Sequence, residues 1–89
     1  MPDAQWYNEY MAPTVLRSGP YRVFFFSNEG EEPAHVHVQR EKMLAKFWLQ
    51  PVSIARSTGF SAHELRAIQS ILIENQEILL EAWHEFFTG

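Results

Sequence analysis

Phe60-Ser-Ala-His-Glu-Leu-Arg-Ala-Ile-Gln-Ser-Ile-Leu-Ile-Glu-Asn-Gln-Glu-Ile-Leu-Leu-Glu-Ala-Trp-His-Glu-Phe-Phe87 is the stretch that decides the architecture. Ser61 stands three residues before Glu64, the spacing of a capping box: the hydroxyl accepts the Glu64 N–H while the carboxylate reaches back to the Ser61 N–H. Phe60 and Leu65 flank the cap as a hydrophobic staple. Downstream, Leu65, Ile68, Leu72, Leu79, Ala82, Trp83 and Phe86 recur at steps of three and four, with Asn75 as the interruption. That period predicts one long C-terminal helix with an apolar stripe. Ile71, Ile73, Ile78, Leu80 and Phe87 widen the stripe beyond what a single sheet layer covers, which predicts a second contact, with another copy or a partner.

The residues before this helix read as strands. Thr14–Arg17 and Tyr21–Ser27 flank the turn Ser18-Gly19-Pro20, and the second of them, Y-R-V-F-F-F-S, is the strongest strand signal in the chain. His35–Gln39 and Leu44–Leu49 follow, with a short strand at Val52–Ala55 before Ser57-Thr58-Gly59. The expected fold is α+β, a small antiparallel sheet of three to five strands packed on one long C-terminal helix. Residues 11–89 form the domain and 1–10 an arm or short helix carrying Trp6, Tyr7 and Tyr10. Side chains alternate across a strand, so Phe24, Phe26 and Trp48 gather on the face opposite Val23, Phe25 and Phe47, with His35 and His37 as candidates to join them. Phe24, Phe26, Trp48 and Trp83 are therefore the expected partner-binding residues.

Composition limits the function classes. A chain of 89 residues, 46% hydrophobic and 15% aromatic, makes one folded domain. It has no cysteine, hence no disulfide, thiolate site or cysteine nucleophile, and with no apolar span or secretion signal the expected location is the cytoplasm. The net charge of −4 falls wholly on residues 61–89, where five glutamates oppose Arg66; residues 1–60 balance six acids with six bases. Direct nucleic-acid binding is not favoured by that distribution. The glycines are scattered, so no phosphate loop and no nucleotide cofactor is expected.

His35 and His37 are the chemical candidates. Two apart on a strand, they point to one side and offer two imidazoles for a divalent metal or for acid–base work. A metal needs a third ligand, for which Glu32 in the adjacent turn is the choice, with Glu31, His63 and His84 as the others considered. Alternatively the imidazoles serve as base and acid of a phosphodiesterase or RNase, with Arg22, Arg40 or Lys46 binding the phosphate. A further reading leaves them as sheet residues that pair with carboxylates and pack on rings.

M-x-P-T-V-L at Met11–Leu16, Y-R-V-F-F-F-S-N-E at Tyr21–Glu29, E-P-x-H-V-H-V at Glu32–Val38, A-K-F-W-L at Ala45–Leu49, G-F-S-x-x-E-L at Gly59–Leu65 and E-A-W-x-E-F-F at Glu81–Phe87 follow one another in order. In these the chain resembles a bacterial family of small proteins catalogued as a domain of unknown function. The resemblance implies partnership with a small protein from a neighbouring gene, in pairs similar to toxin–antitoxin modules. Family members begin near Met11, and they carry a proline where this chain has Ala34. The leading expectation is a protein-interaction domain of such a pair, forming homo-oligomers; the alternative is the phosphodiesterase or RNase centred on His35 and His37.

Overall fold

The computed structural model describes residues 12–88, and the expected arm at 1–10 lies outside them. Five strands, β1 (Thr14–Ser18), β2 (Tyr21–Phe24), β3 (His35–Arg40), β4 (Met43–Leu49) and β5 (Val52–Thr58), form one antiparallel sheet in chain order. Helices α1 (Ala62–Glu74) and α2 (Gln76–Thr88) follow. The fold is α+β, as the patterning predicts, but with two C-terminal helices in place of one.

Asn75 divides the helix. Its side-chain Nδ2 donates to the Ile71 carbonyl at 2.8 Å, and its backbone N–H turns to the same carbonyl and that of Leu72. An amide side chain that satisfies the last carbonyls of one helix competes with helix continuation. The Asn75 carbonyl then accepts the Leu79 N–H at 3.0 Å and starts the second. After the break, α1 lies against β5, while α2 reaches β4 and β1.

Two other boundaries differ from the sequence expectation. β2 stops at Phe24, the partner of Thr14 at the start of β1, because the residue before that strand is Pro13, whose nitrogen carries no hydrogen to extend the ladder. Phe25 instead donates its N–H to the Pro13 carbonyl at 3.3 Å and points into the core. β5 runs on to Thr58, three residues past Ala55, and pairs with β4 through an irregularity between Lys46 and Phe47. The extra residue there is Ala55, so Arg56 pairs with Lys46 and Ile54 with Phe47.

The helix-facing side of the sheet is apolar. Val23, Val36, Val38, Ala45, Phe47 and Leu49 pack with Phe25, Ile68, Leu72, Leu79 and Trp83 as one core. Burial of such side chains stabilises by about 1.5–3 kcal/mol each, and this supplies most of the folding energy. Glu64 adds a polar tie between α1 and the sheet. Its carboxylate takes Arg40 at 2.6 and 2.8 Å and the Tyr21 hydroxyl at 2.7 Å. The Ser61 hydroxyl does accept the Glu64 N–H at 3.1 Å, so half of the expected capping box forms. The other half is replaced, since Arg40 holds the carboxylate on the sheet side.

Candidate functional site

Strand alternation puts His35 and His37 on the opposite face from Val36 and Val38. In register, His37 stands beside Phe24 of β2 and Lys46 of β4, and His35 beside Trp48. Rings surround both imidazoles. The Phe24 ring stacks on His37 at 5.5 Å, Phe26 meets it edge-on at 4.6 Å, and His35 lies 5.7 Å from Trp48 and 5.0 Å from Trp83. The aromatic face read from the sequence is therefore present, with α2 turning over the end of the sheet to add Trp83.

Glu29 completes the arrangement. It sits in the turn between β2 and β3, where its N–H meets the Phe26 carbonyl and its own carbonyl accepts Glu32 N–H. Gly30 next to it lies so close to the Phe87 ring that a Cβ there would collide, which lets this turn settle on α2. The Glu29 Oε1 atom lies 2.8 Å from Nε2 of His35 and 2.8 Å from Nε2 of His37. The three ligand-type atoms fall within 4.8 Å of one another, while His35 is 0% and His37 2% exposed.

A third contact constrains the chemistry. His35 Nδ1 lies 2.9 Å from the Pro33 carbonyl, which can only accept, so that nitrogen carries a proton. Nε2 of the same ring faces a carboxylate, also an acceptor. Two acceptors in contact need a proton or a cation between them, so Nε2 and Oε1 form a place where a metal ion can replace a proton. A backbone carbonyl holding the outer N–H is the usual support for a metal-ligating histidine. Burial pushes the His37 pKa down more than the Glu29 carboxylate raises it, which keeps that imidazole neutral and able to ligate. For Glu29 burial acts upward, yet the hydrogen bonds from His35 and His37 outweigh it and its carboxyl titrates below the usual range.

Glu32, the acid read from the sequence as third ligand, points elsewhere. It pairs with Lys46 Nζ at 2.6 Å, and that contact holds its pKa low. Lys46 is itself buried beside His37, with its ammonium 4.7 Å from the Trp48 ring centroid. Of the three cations read as phosphate ligands, Lys46 alone borders the histidines. Arg22 stands over Phe24 at 4.2 Å and donates to Thr14 Oγ1 at 2.7 Å; Arg40 is on the opposite face, committed to Glu64. Arg56, passed over in the sequence, joins Lys46, His37 and Glu29 around a cleft of about 100 Å3. His35 does not line that cleft. Of the four rings read as a partner surface, Phe24 and Trp83 are buried and Phe26 and Trp48 half-buried.

A five-stranded meander backed by two helices, with two histidines and a carboxylate converging on its other face, defines a small α+β protein with a candidate metal centre. The chain belongs to the family described as Domain of unknown function (DUF4160), which matches residues 21–84 and so spans every residue of the cluster. No curated protein and no solved structure matches the chain. Among the described residues, no helix is long and apolar enough to cross a membrane.

Proposed function

We propose that Glu29, His35 and His37 hold a divalent transition-metal ion and that the chain is a small phosphodiesterase or RNase acting in the cytoplasm. The observation that carries this reading is the convergence of His35 Nε2, His37 Nε2 and Glu29 Oε1, with the Pro33 carbonyl fixing the outer His35 nitrogen. Two imidazoles and one carboxylate are a common donor set for catalytic metals that keep open positions. Such an ion, when bound, would supply Lewis-acid polarisation of a phosphoryl oxygen and make water a better nucleophile. In the reaction a water oxygen bonds to phosphorus, the bond to the leaving alcohol breaks, and the water's proton ends on the departing oxygen. Lys46 and Arg56 border the opening beside His37 and would neutralise the phosphate.

A metal-free two-histidine mechanism is less well supported. It needs both imidazoles at the substrate, whereas His35 is enclosed by Trp48 and Trp83. The test is hydrolysis of bis(p-nitrophenyl) phosphate by chelator-treated chain before and after adding Zn2+ or Mn2+. Activity should appear with metal and be absent in His37→Gln. Equal activity with and without metal, or none under either condition, would end the proposal.

A second reading, a protein-interaction half of a toxin–antitoxin-like pair, rests on the helix surface. Ile73 and Ile78 are 55% and 57% exposed, on either side of the Asn75 break, and Ile54 and Phe86 are also exposed. A partner from a neighbouring gene or a second copy would cover them. Ile73→Ser with Ile78→Ser should abolish the complex without unfolding the chain, and a native chain that stays monomeric and ignores its neighbour's product would refute it.

A further inference from the structure

A second cleft, of about 530 Å3, opens at the other side of His35, between the start of β5 and α2. Its volume is within the roughly 300–1,000 Å3 common for small-molecule sites. Trp48 and Trp83 form its aromatic walls, Pro33 and Pro51 add flat apolar surface, and Ser53 and His84 bring polar groups. The two indoles also flank His35, so the cleft shares a wall with the metal cluster. Neither indole N–H has an acceptor among the described residues, and neither is sealed from solvent. For Trp83, only 6% exposed, that leaves a donor at the surface of an otherwise enclosed ring.

We infer that this cleft binds a nucleobase, so that the phosphodiester cleaved is that of a short nucleotide chain; this rests on the metallohydrolase reading above. A nucleobase is planar and apolar on its faces, which suits a cleft walled by indole and proline surfaces. Lys46 lines the phosphate opening beside His37 and stands over the Trp48 ring, while its ion-pair partner Glu32 lines the base cleft. The acidic α2, with Glu77, Glu81 and Glu85, repels an extended polyanion. The substrate is therefore a dinucleotide or a strand end, not a long duplex.

The test is nuclear magnetic resonance of the indole N–H signals of the full chain, assigned with Trp6→Phe, Trp48→Phe and Trp83→Phe. Added 5′-AMP should shift the Trp48 and Trp83 signals saturably, whereas ribose 5-phosphate, which has no base, should leave them in place. Trp48→Ala should weaken 5′-AMP at least roughly fivefold, the low end for losing one stacked base, with Zn2+ affinity unchanged. Equal shifts from both compounds, or none from either, overturn the inference. Zn2+-dependent hydrolysis with silent indole signals removes the base site and leaves the metallohydrolase reading standing. Shifts on 5′-AMP without any hydrolysis uphold the base site and remove that reading.

Discussion

Glu29→Gln keeps the shape of the side chain and removes its charge, so it separates a ligand role from a packing role. Glu29 Oε1 takes two contacts of 2.8 Å, from His35 and from His37. Hydrogen bonds to a charged acceptor are worth about 1.5–3 kcal/mol and neutral ones about 0.5–1.5, so two of them together lose about 2 kcal/mol. The Glu29 side chain retains 20% of its surface in water. Solvent recovers part of the loss, and about 1 kcal/mol is the net expectation, or about 4–8 °C in Tm for a domain of this size. Metal affinity falls much further. Losing even an outer partner of a ligand costs about 10–100-fold, and here the only carboxylate of the cluster becomes a neutral amide, so at least a hundredfold loss is expected. Calorimetric titration with Zn2+, together with Tm measured with and without the ion, reads both numbers. Native-like Zn2+ affinity in Glu29→Gln, with the same Zn2+-induced rise in Tm, would refute the assignment of Glu29 as a ligand.

Leu72→Ala removes a fully buried side chain from the α1–sheet core; urea unfolding should show a loss of about 2–5 kcal/mol, and a loss under 1 kcal/mol would mean the helix is not packed as described. At Gly59, φ is +98° and a Cβ would lie 2.6 Å from Met43 Cγ. Gly59→Ala should therefore lower Tm by several degrees, and an unchanged Tm would show that the β5–α1 connection has another shape. Acid should weaken the Glu64–Arg40–Tyr21 tie: the Arg40 guanidinium, then the Tyr21 hydroxyl, hold the Glu64 carboxyl below its usual 4.5. A folded pKa below the unfolded one means stability that is complete above about pH 4.5 and lost as pH falls through the folded value. Glu64→Gln should thus flatten the acid limb of the stability curve, and an unaltered limb would show that this carboxylate does not contribute.

The two sides of each strand were legible because strand period is two: Phe24 stands opposite Val23, Trp48 opposite Phe47, and His35 with His37 opposite Val36, whereas the sharing of one face by all four depends on the register that pairs Phe24 with His37 and His35 with Trp48. The same parity separates Arg40 from both histidines, and applying it would have removed Arg40 from the phosphate candidates. Glu29 was not legible in this way. It lies six residues before His35 in an irregular turn, and its carboxylate meets the imidazoles only because the turn folds back over Phe26 and settles on Phe87. Glu32, nearer in sequence, is drawn off by Lys46. Arg56 was hidden by the irregular β4–β5 pairing, since the extra residue at Ala55 resets which side chains face the cleft. The helix break at Asn75 was visible as an interruption of the stripe, but the tertiary path of α2 across the end of the sheet decides whether an asparagine bends a helix or ends it.

Whether Glu29, His35 and His37 form one metal centre is decided by adding Co2+ to the untagged full chain and following visible absorption. An intense band of low-coordinate Co2+ should appear, saturate at equimolar metal, vanish on adding Zn2+ and fail to form in Glu29→Gln. A folded chain whose spectrum remains that of aqueous Co2+ throughout the titration would contradict it.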